Sequence, residues 1–308
     1  VSSTLTTTST MQRDQAGAHL KPRFFGIVNG EIFKVLHMWS FWITLVLLLC
    51  FNGGPYLVEM ISSTYLKTSL INTPAHYYYN QLTTSLGILR AFIGFFLIIL
   101  TATIIGREYQ LGTIRILLAR GVGRIQLLLA KLTAVVTIAI VVLIVCLVIH
   151  ALGQMLLQLV MFGNLDKFNQ IPAGFAQNTW SYIVTILVSM GATILMTTAI
   201  TVLGRSMSFG LSAGLAFFPA DNIGALLMAL GYRITHNTAW HNITTYFLGP
   251  NLNAMAANIL PANLQLESLG EAPLAPVTGT HTLWVAAVYS VIFAVVAVVL
   301  TWKRDVKE

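Results

Sequence analysis

Charge is the scarcest commodity in this sequence. Of 308 residues only 9% are Asp, Glu, Lys or Arg, while 56% are hydrophobic. A soluble domain carries about a quarter charged residues, so this chain cannot clothe an ordinary water-facing surface. Cysteine is nearly absent. Cys50 and Cys146 each lie inside an apolar run, which excludes a disulfide framework or a cysteine metal cluster and leaves both as small buried hydrophobes. Missing too is any G-x-x-x-x-G-K-[ST] pattern, or even a Gly-Lys pair, so nothing here can cradle a nucleotide phosphate as a P-loop does. The opening "VSSTLTTTSTMQRDQAGAH" lacks the apolar core of a secretory signal and reads as a flexible tail, taken as residues 1–23.

What the chain has in abundance is long apolar runs. "FWITLVLLLCF", "LRAFIGFFLIILTATIIG" and "KLTAVVTIAIVVLIVCLVIH" approach or reach the roughly 20 residues that cross a hydrocarbon core. They do not alternate, which argues against a membrane β-barrel. The expectation is an all-α membrane protein whose single transmembrane domain, 24–308, has six spans near 39–58, 83–106, 127–150, 180–203, 207–230 and 282–302. Before the first span, "FFGIVNGEIFKVLHM" suits a helix lying along the membrane surface, with Glu31 and Lys34 as its charges. "NGGP", Asn52 to Pro55, is expected to interrupt the outer third of the first span. The third run continues through "ALGQMLLQLVMF"; as one helix it would overshoot the bilayer, so its crossing is placed to end near His150 and Gly153.

Orientation follows from the basic residues. With both termini cytoplasmic, the inner side holds Arg13, Lys21, Arg23, Lys34, Arg107, Arg115, Arg120, Arg124, Lys131, Arg205, Lys303, Arg304 and Lys307, leaving Lys67, Arg90, Lys167 and Arg233 outside. The positive-inside rule favours that arrangement, in a cytoplasmic membrane. Segments 59–82 and 231–281 then face outward.

The inner loop between the second and third spans, "GREYQLGTIRILLARGVGRIQ", gathers most of the local charge. Glu108 to Ala119 is long enough for about three helical turns, with Glu108 at the start, where a carboxylate suits the helix dipole. Gly112 would then lie inside that helix at a cost of about 1 kcal/mol relative to alanine, which suggests close backbone approach by something else. Gly121 and Gly123 would break the helix before the third span.

"REYQLGTIRILLARGVGRIQLLLAKL" resembles the cytoplasmic loop of ABC transporter permeases of the exporter type-2 class. In that family an E-x-x-x-G-T segment forms a coupling helix that docks on the ATPase subunit; Glu108, Gly112 and Thr113 match it here, and Arg115 and Arg120 would meet the partner's polar rim. "GEIFKVLHMWSFWITLVLLL" is similar to the family's surface helix leading into the first span. The matching motifs cover about fifty residues; the rest agrees in hydropathy alone. The resemblance implies an ATP-binding cassette ATPase as a separate chain, a second permease chain, identical or homologous, and ATP held by the partner.

Other patterns carry less. "GLSAG", Gly210 to Gly214, has the G-x-S-x-G form of a hydrolase elbow but lies within a span, so it reads as a G-x-x-x-G helix-packing pair. His236 and His241, five apart with no neighbouring carboxylate, read as a surface pair rather than a metal site. Tyr77, Tyr78, Tyr79, Trp180 and Tyr182 read as interfacial anchors. Arg90 and Asp221 fall inside apolar runs, roughly 22–24 Å from the cytoplasmic ends by helical rise. Such charges face a partner or a wet cavity, which makes the two candidates to pair. Otherwise Arg90 snorkels to the headgroups and Asp221 sits just past a helix end after Pro219.

Two functions fit these features. One is the membrane subunit of an ABC exporter, without catalytic residues of its own, moving an amphipathic or lipid-like cargo. The other is a permease-shaped subunit without transport activity, serving as scaffold or as a binder of apolar pigment or lipid within a larger membrane complex. Membrane lipids surround either; no nucleic-acid partner, metal or cofactor in this chain is expected.

Overall fold

A computed structural model describes residues 23–119, 121–258 and 270–303 of the chain. Nearly all of the expected tail, and Arg120, lie outside these described residues. In them the chain is helical throughout, with no strand. In order the helices are α1 Phe24–Leu36, α2 Trp39–Ile61, α3 Ser63–Asn72, α4 Pro74–Gln110, α5 Ile114–Ala119 and α6 Arg124–Phe162. After a 3-10 turn at Asp166–Gln170 come α7 Phe175–Gly204, α8 Met207–Thr235, α9 Ala239–Thr244, α10 Leu248–Ala257 and α11 Gly279–Lys303.

Six of these, α2, α4, α6, α7, α8 and α11, are long and apolar enough to cross a membrane. Helix is what such runs must form, because lipid offers no hydrogen-bond partner and every backbone group has to be satisfied within the segment. Two expectations about helix ends need correction. "NGGP" does not interrupt α2, which runs through Pro55 to Ile61. Proline removes one helical donor, and α2 is held on either side of that loss by packing; Asn52 Nδ2 donates to the Cys146 carbonyl of α6 at 3.0 Å. Nor does α6 pause at His150 or Gly153. It continues to Phe162 and stops at Gly163, whose φ of 72° is the left-handed C-terminal conformation glycine adopts freely. At 39 and 37 residues, α6 and α4 are about 55–58 Å long, well beyond a ~30 Å hydrocarbon layer. Their far ends pack with α3 around Leu70, Tyr77, Leu157 and Met161.

The core sits on α4 and α7. Within their most apolar windows 56% of residues are buried, against 11% in α8 and 17% in α11. α8 and α11 turn most of their apolar side chains outward, away from the core. The main cluster joins α1 to α2, α4, α6 and α7 through Val35, Leu48, Leu89, Leu97, Val142 and Ile186. Gly210 and Gly214 of α8 are both buried. A Cβ at Gly210 would collide with the Thr201 side chain of α7, and one at Gly214 would meet Ile98 Cγ2 of α4 at 2.9 Å.

Arg90 and Asp221 do not pair. Arg90 donates from Nη1 to the Leu252 carbonyl at 2.7 Å and from Nη2 to Asn253 Oδ1 at 2.8 Å. Asp221 accepts from the Gly249 backbone N–H at 2.5 Å. Asp221 is also not past a helix end, because α8 continues through Pro219 to Thr235. Both charges are spent on α10. The carboxylate meets its N-terminal N–H, where the dipole favours an anion, and the guanidinium meets a carbonyl further along.

If α10 is held from two sides in this way, Arg90→Met and Asp221→Asn should each lower stability by about 1.5–3 kcal/mol, the usual worth of a charged hydrogen bond. The double variant should melt below either single one, with faster amide exchange in 248–257. Recovery of the double variant toward wild type would instead show that the two charges compensate each other directly.

Candidate functional site

Among the described residues, charge is most concentrated where α1 crosses the ends of α4 and α6. Glu31 and Lys34 come from α1, Glu108 from the last turn of α4, and Lys131 from the second turn of α6. Lys34 Nζ contacts Glu31 Oε1 at 2.7 Å and Glu108 Oε1 at 2.9 Å. Lys131 Nζ contacts Glu31 Oε2 at 3.0 Å and Glu108 Oε2 at 3.1 Å, and donates to the Ile104 carbonyl at 2.7 Å. The contact to Glu108 Oε2 is an ion pair without hydrogen-bond alignment. The four form a closed ring of alternating charge, in which each lysine bridges both acids and each acid gives one oxygen to each lysine.

Glu31, Glu108 and Lys131 are buried, whereas Lys34 is half exposed. Burial alone would lower the Lys34 pKa, but its hydrogen bonds to Glu31 and Glu108 outweigh that and raise it above the ordinary 10.5. A raised lysine pKa stabilises the fold fully below pH 10.5 and loses that contribution as pH climbs through the folded value. Exposure of the side chain screens the effect and keeps it small.

This geometry corrects the reading of the loop. Glu108 does not start a helix; it ends one, since α4 runs on to Gln110. A carboxylate at a helix C-terminus opposes the dipole, and the two ammonium groups offset that cost. Gly112 is not inside a helix either. With φ of +67° it terminates α4, its N–H bonding the Tyr109 carbonyl, and a Cβ there would meet nothing within 4 Å. Its requirement is backbone conformation, not close approach by a neighbour. The helix that follows, α5, has only six residues. A second left-handed glycine, Gly121 at φ +83°, follows it.

Between α1, the end of α4 and α5 lies a cavity of about 530 Å³. Glu31, Lys34 and Met38 line it from one side, Ile104, Arg107 and Glu108 from another, and Leu111, Thr113, Ile116 and Leu117 from the loop. Arg107 Nη1 points to Met38 Sδ at 3.0 Å. Of the residues expected to act here, the structure brings Glu108 and Thr113 to the cavity and leaves Arg115 exposed on α5. Arg90, Asp221, Gly210 and Gly214 are elsewhere. Sequence reasoning missed that Glu31, Lys34 and Lys131 join Glu108. The available signal was scarcity, since in so charge-poor a chain four charges beside apolar runs are each expensive enough to need partners. His236 and His241 flank Tyr232, ring centroids 6.3 and 3.9 Å away. Among the described residues no group of three or more His, Cys, Asp or Glu could hold a metal.

Six apolar helices, with an amphipathic first helix tied by charge to the second and third spans, define a membrane-spanning protein of the permease type. The chain belongs to the ABC-2 family of transporter proteins, whose family model matches residues 27–221, more than half its length. It is also similar to "Uncharacterized protein YhcI" of Bacillus subtilis (strain 168), 28% identical over 222 residues. That match covers 69% of this chain and 64% of the relative, so the chain spans less than two thirds of that protein's length. No solved structure matches. Members of this family are the membrane component of transporters and are not themselves catalytic; they generally work with an ATPase subunit and are often dimeric.

Breaking the ring from one side should be costly. Lys131→Met leaves Glu31 and Glu108 sharing one half-exposed lysine, a change on the order of 3–5 kcal/mol. Adding Glu108→Gln should return part of that loss, because charge balance is restored. Purely additive losses in the melting temperatures of the three variants would show that the ring does not act as a unit.

Proposed function

We propose that this protein is the permease subunit of an ATP-driven exporter, driven by a separate ATPase that docks on α5 and the turns flanking it. The observation that carries this reading is the family match extending across the charged ring and the α5 loop. Physical support comes from the loop itself. Leu111 and Ile116 are 62% and 55% exposed on a segment that also carries the exposed Arg115. Apolar side chains on a charged loop suit a protein partner better than water.

In this reading α5 lies in the cytoplasm with both termini, and a second permease chain completes the path for cargo. Closure of the ATPase pair would push α5, and α4 and α6 would transmit that push as rigid rods. ATP stays on the partner. Glu108 and Lys131 hold the rod ends to α1, while Gly112 and Thr113 shape the turn and Arg115, with Arg120, meets the partner's polar rim.

Substituting Gly112 would test the turn, not the interface, since any side chain there is strained at φ +67°. The better variants are Leu111→Asp and Ile116→Asp, both at exposed positions. The isolated permease should melt within about 0.5 kcal/mol of wild type, as surface changes do. Recovery of a co-purifying ATPase should fall about tenfold or more, because charge placed in a desolvated contact costs a few kcal/mol. Unchanged recovery in both variants would remove α5 as the docking element. Failure to recover any ATPase with wild type would turn the reading to the scaffold or pigment- and lipid-binding role.

Orientation is tested separately. With Cys50 replaced by serine, Lys303→Cys should react with an impermeant thiol reagent from the cytoplasmic side only. Asn242→Cys should react from the outside only. Both positions are exposed, so reaction of the two from one side would overturn the six-span topology.

A further inference from the structure

The cavity between α1, the end of α4 and α5 has two kinds of wall. Val35, Met38, Ile104 and Leu117 form an apolar one, each of them buried or half-buried. The other is charged, and its acids are already answered. Each oxygen of Glu31 and of Glu108 lies 2.7–3.1 Å from a lysine Nζ, so the ring carries no net charge.

Arg107 stands outside the ring. Its Nη1 meets Met38 Sδ at 3.0 Å, a thioether that is a weak acceptor, and among the described residues Arg107 makes no ion pair. Lys34 is the second donor with capacity to spare. Two of its three ammonium N–H groups go to Glu31 and Glu108, and its side chain is half exposed. Two contacts set these cations side by side at the cavity. Lys34 reaches Glu108, the residue after Arg107, while Arg107 reaches Met38, four residues beyond Lys34.

The sign of the surroundings is uniform. On α1, α5 and the last turn of α4 the acids are Glu31 and Glu108, both buried, whereas the exposed ions Lys34, Arg107 and Arg115 are all cationic. Such a rim attracts an anion, and a guanidinium with unspent N–H groups matches two oxygens of a phosphate at once. Free phosphate would leave the apolar wall in water. Lipid supplies both parts, and the surface around the cavity suits it. Met38 leads directly into α2, whose Trp39 and Ile43 are 83% and 56% exposed, and Phe25 and Phe33 of α1 are exposed as well. At the same corner the Trp42 indole N–H donates to the Leu36 carbonyl at 2.8 Å. Exposed tryptophans at the base of a membrane-crossing helix mark the level of the head groups. A volume of about 530 Å³ is that of an ordinary small-ligand site.

We propose that this cavity binds the phosphodiester head group of an anionic phospholipid. Arg107 and Lys34 donate to the unesterified oxygens, and the upper part of one chain lies against Val35, Met38, Ile104 and Leu117. A choline head group would bring another cation to a rim whose exposed ions are already cationic; a glycerol head group brings none. The proposal depends neither on an ATPase nor on which side of the membrane is cytoplasmic.

The test uses the purified full chain in a neutral maltoside detergent, with no ATPase. Dioctanoyl phosphatidylglycerol should raise the melting temperature saturably and slow amide exchange in 111–119. Dioctanoyl phosphatidylcholine, with the same tails, should bind at least about tenfold more weakly. Glycerol 3-phosphate, a head group without tails, should give no shift at the same concentration. Arg107→Gln, at an exposed position, should keep the fold and weaken the phosphatidylglycerol about tenfold or more, the worth of a charged hydrogen bond. Arg115→Gln removes the same charge from α5 outside the cavity lining, and should change affinity by less than about twofold. Equal binding of the two lipids, equal weakening by the two variants, or unchanged exchange in 111–119 while the melting temperature rises would each overturn the proposal. A shift with glycerol 3-phosphate that matches the lipid's would overturn the lipid as occupant. If Arg107→Gln does not fold, the three-ligand comparison and the exchange pattern of the wild-type chain decide alone.

Discussion

Everything at the α5 end of this protein depends on four charges cancelling one another. Taking a carboxylate or an ammonium out of water costs several kcal/mol per ion, and this chain has few charges to arrange. The alternating ring of Glu31, Lys34, Glu108 and Lys131 meets that cost by giving every acid two cations and every lysine two acids. Its members come from three helices, so their meeting fixes α1 across the ends of α4 and α6. Apart from the ring, Val28 of α1 packs on Ala130 and Ala134, and Val35 enters the main core. Those contacts are non-directional. The ring is directional, and it sets the rotation of α1 and hence one wall of the 530 Å³ cavity.

The ring also stands next to the most deformable part of the fold. Glu108 is four residues before Gly112, and the six residues of α5 lie between two glycines in the left-handed conformation. A short helix between such turns can change its angle by rotating few bonds, while α4 and α6, at 37 and 39 residues, bend little. The cavity beneath α5 gives it somewhere to move. In the proposed exporter the ring then works as a clamp. Force arriving at α5 reaches the end of α4 at the point where Lys34 and Lys131 hold it, so the rods tilt together with α1 instead of fraying. Conformational coupling of this kind needs a stiff element on one side and a pliable one on the other, and the sequence supplies both within about twenty residues.

How much of this could be read from the sequence varies with the physics involved. The six spans were legible because hydropathy over twenty residues is an average, insensitive to single positions. Their ends were not. Past the lipid, α4 and α6 continue because α3 packs against them, which is a tertiary contact that no local pattern announces. Glu108 and Gly112 were singled out, yet their roles in the helix were reversed. A glycine inside a helix and a glycine just past its end look the same when apolar residues continue on both sides at compatible spacing. Only the φ of +67° separates the two cases. The i,i+3 pair Glu31 and Lys34 suited a helix lying along the membrane surface, and only the burial of Glu31, at 4% exposure, shows that this charge faces inward.

Arg90 and Asp221 show most clearly why charges resist pairing by inspection. Opposite signs within apolar runs invite a direct bond, but each reaches the backbone of α10 instead, Arg90 bonding the Asn253 side chain as well. α10 lies between them, with most of its residues buried. Asp221 reaches the N–H of Gly249 near its start, and Arg90 reaches the carbonyl of Leu252 further on. A helix already carries partial positive charge at its N-terminus and partial negative charge toward its carbonyls, so it can stand between an anion and a cation and satisfy both. The two residues are thus a separated ion pair bridged by a short helix. If α10 were reversed, Asp221 would face the carbonyl end of the helix, where the dipole is negative and no backbone N–H is free to donate. In a chain this poor in charge, one buried and one half-buried ion give a ten-residue helix its position, and Asp221 at its N-terminus gives it its direction.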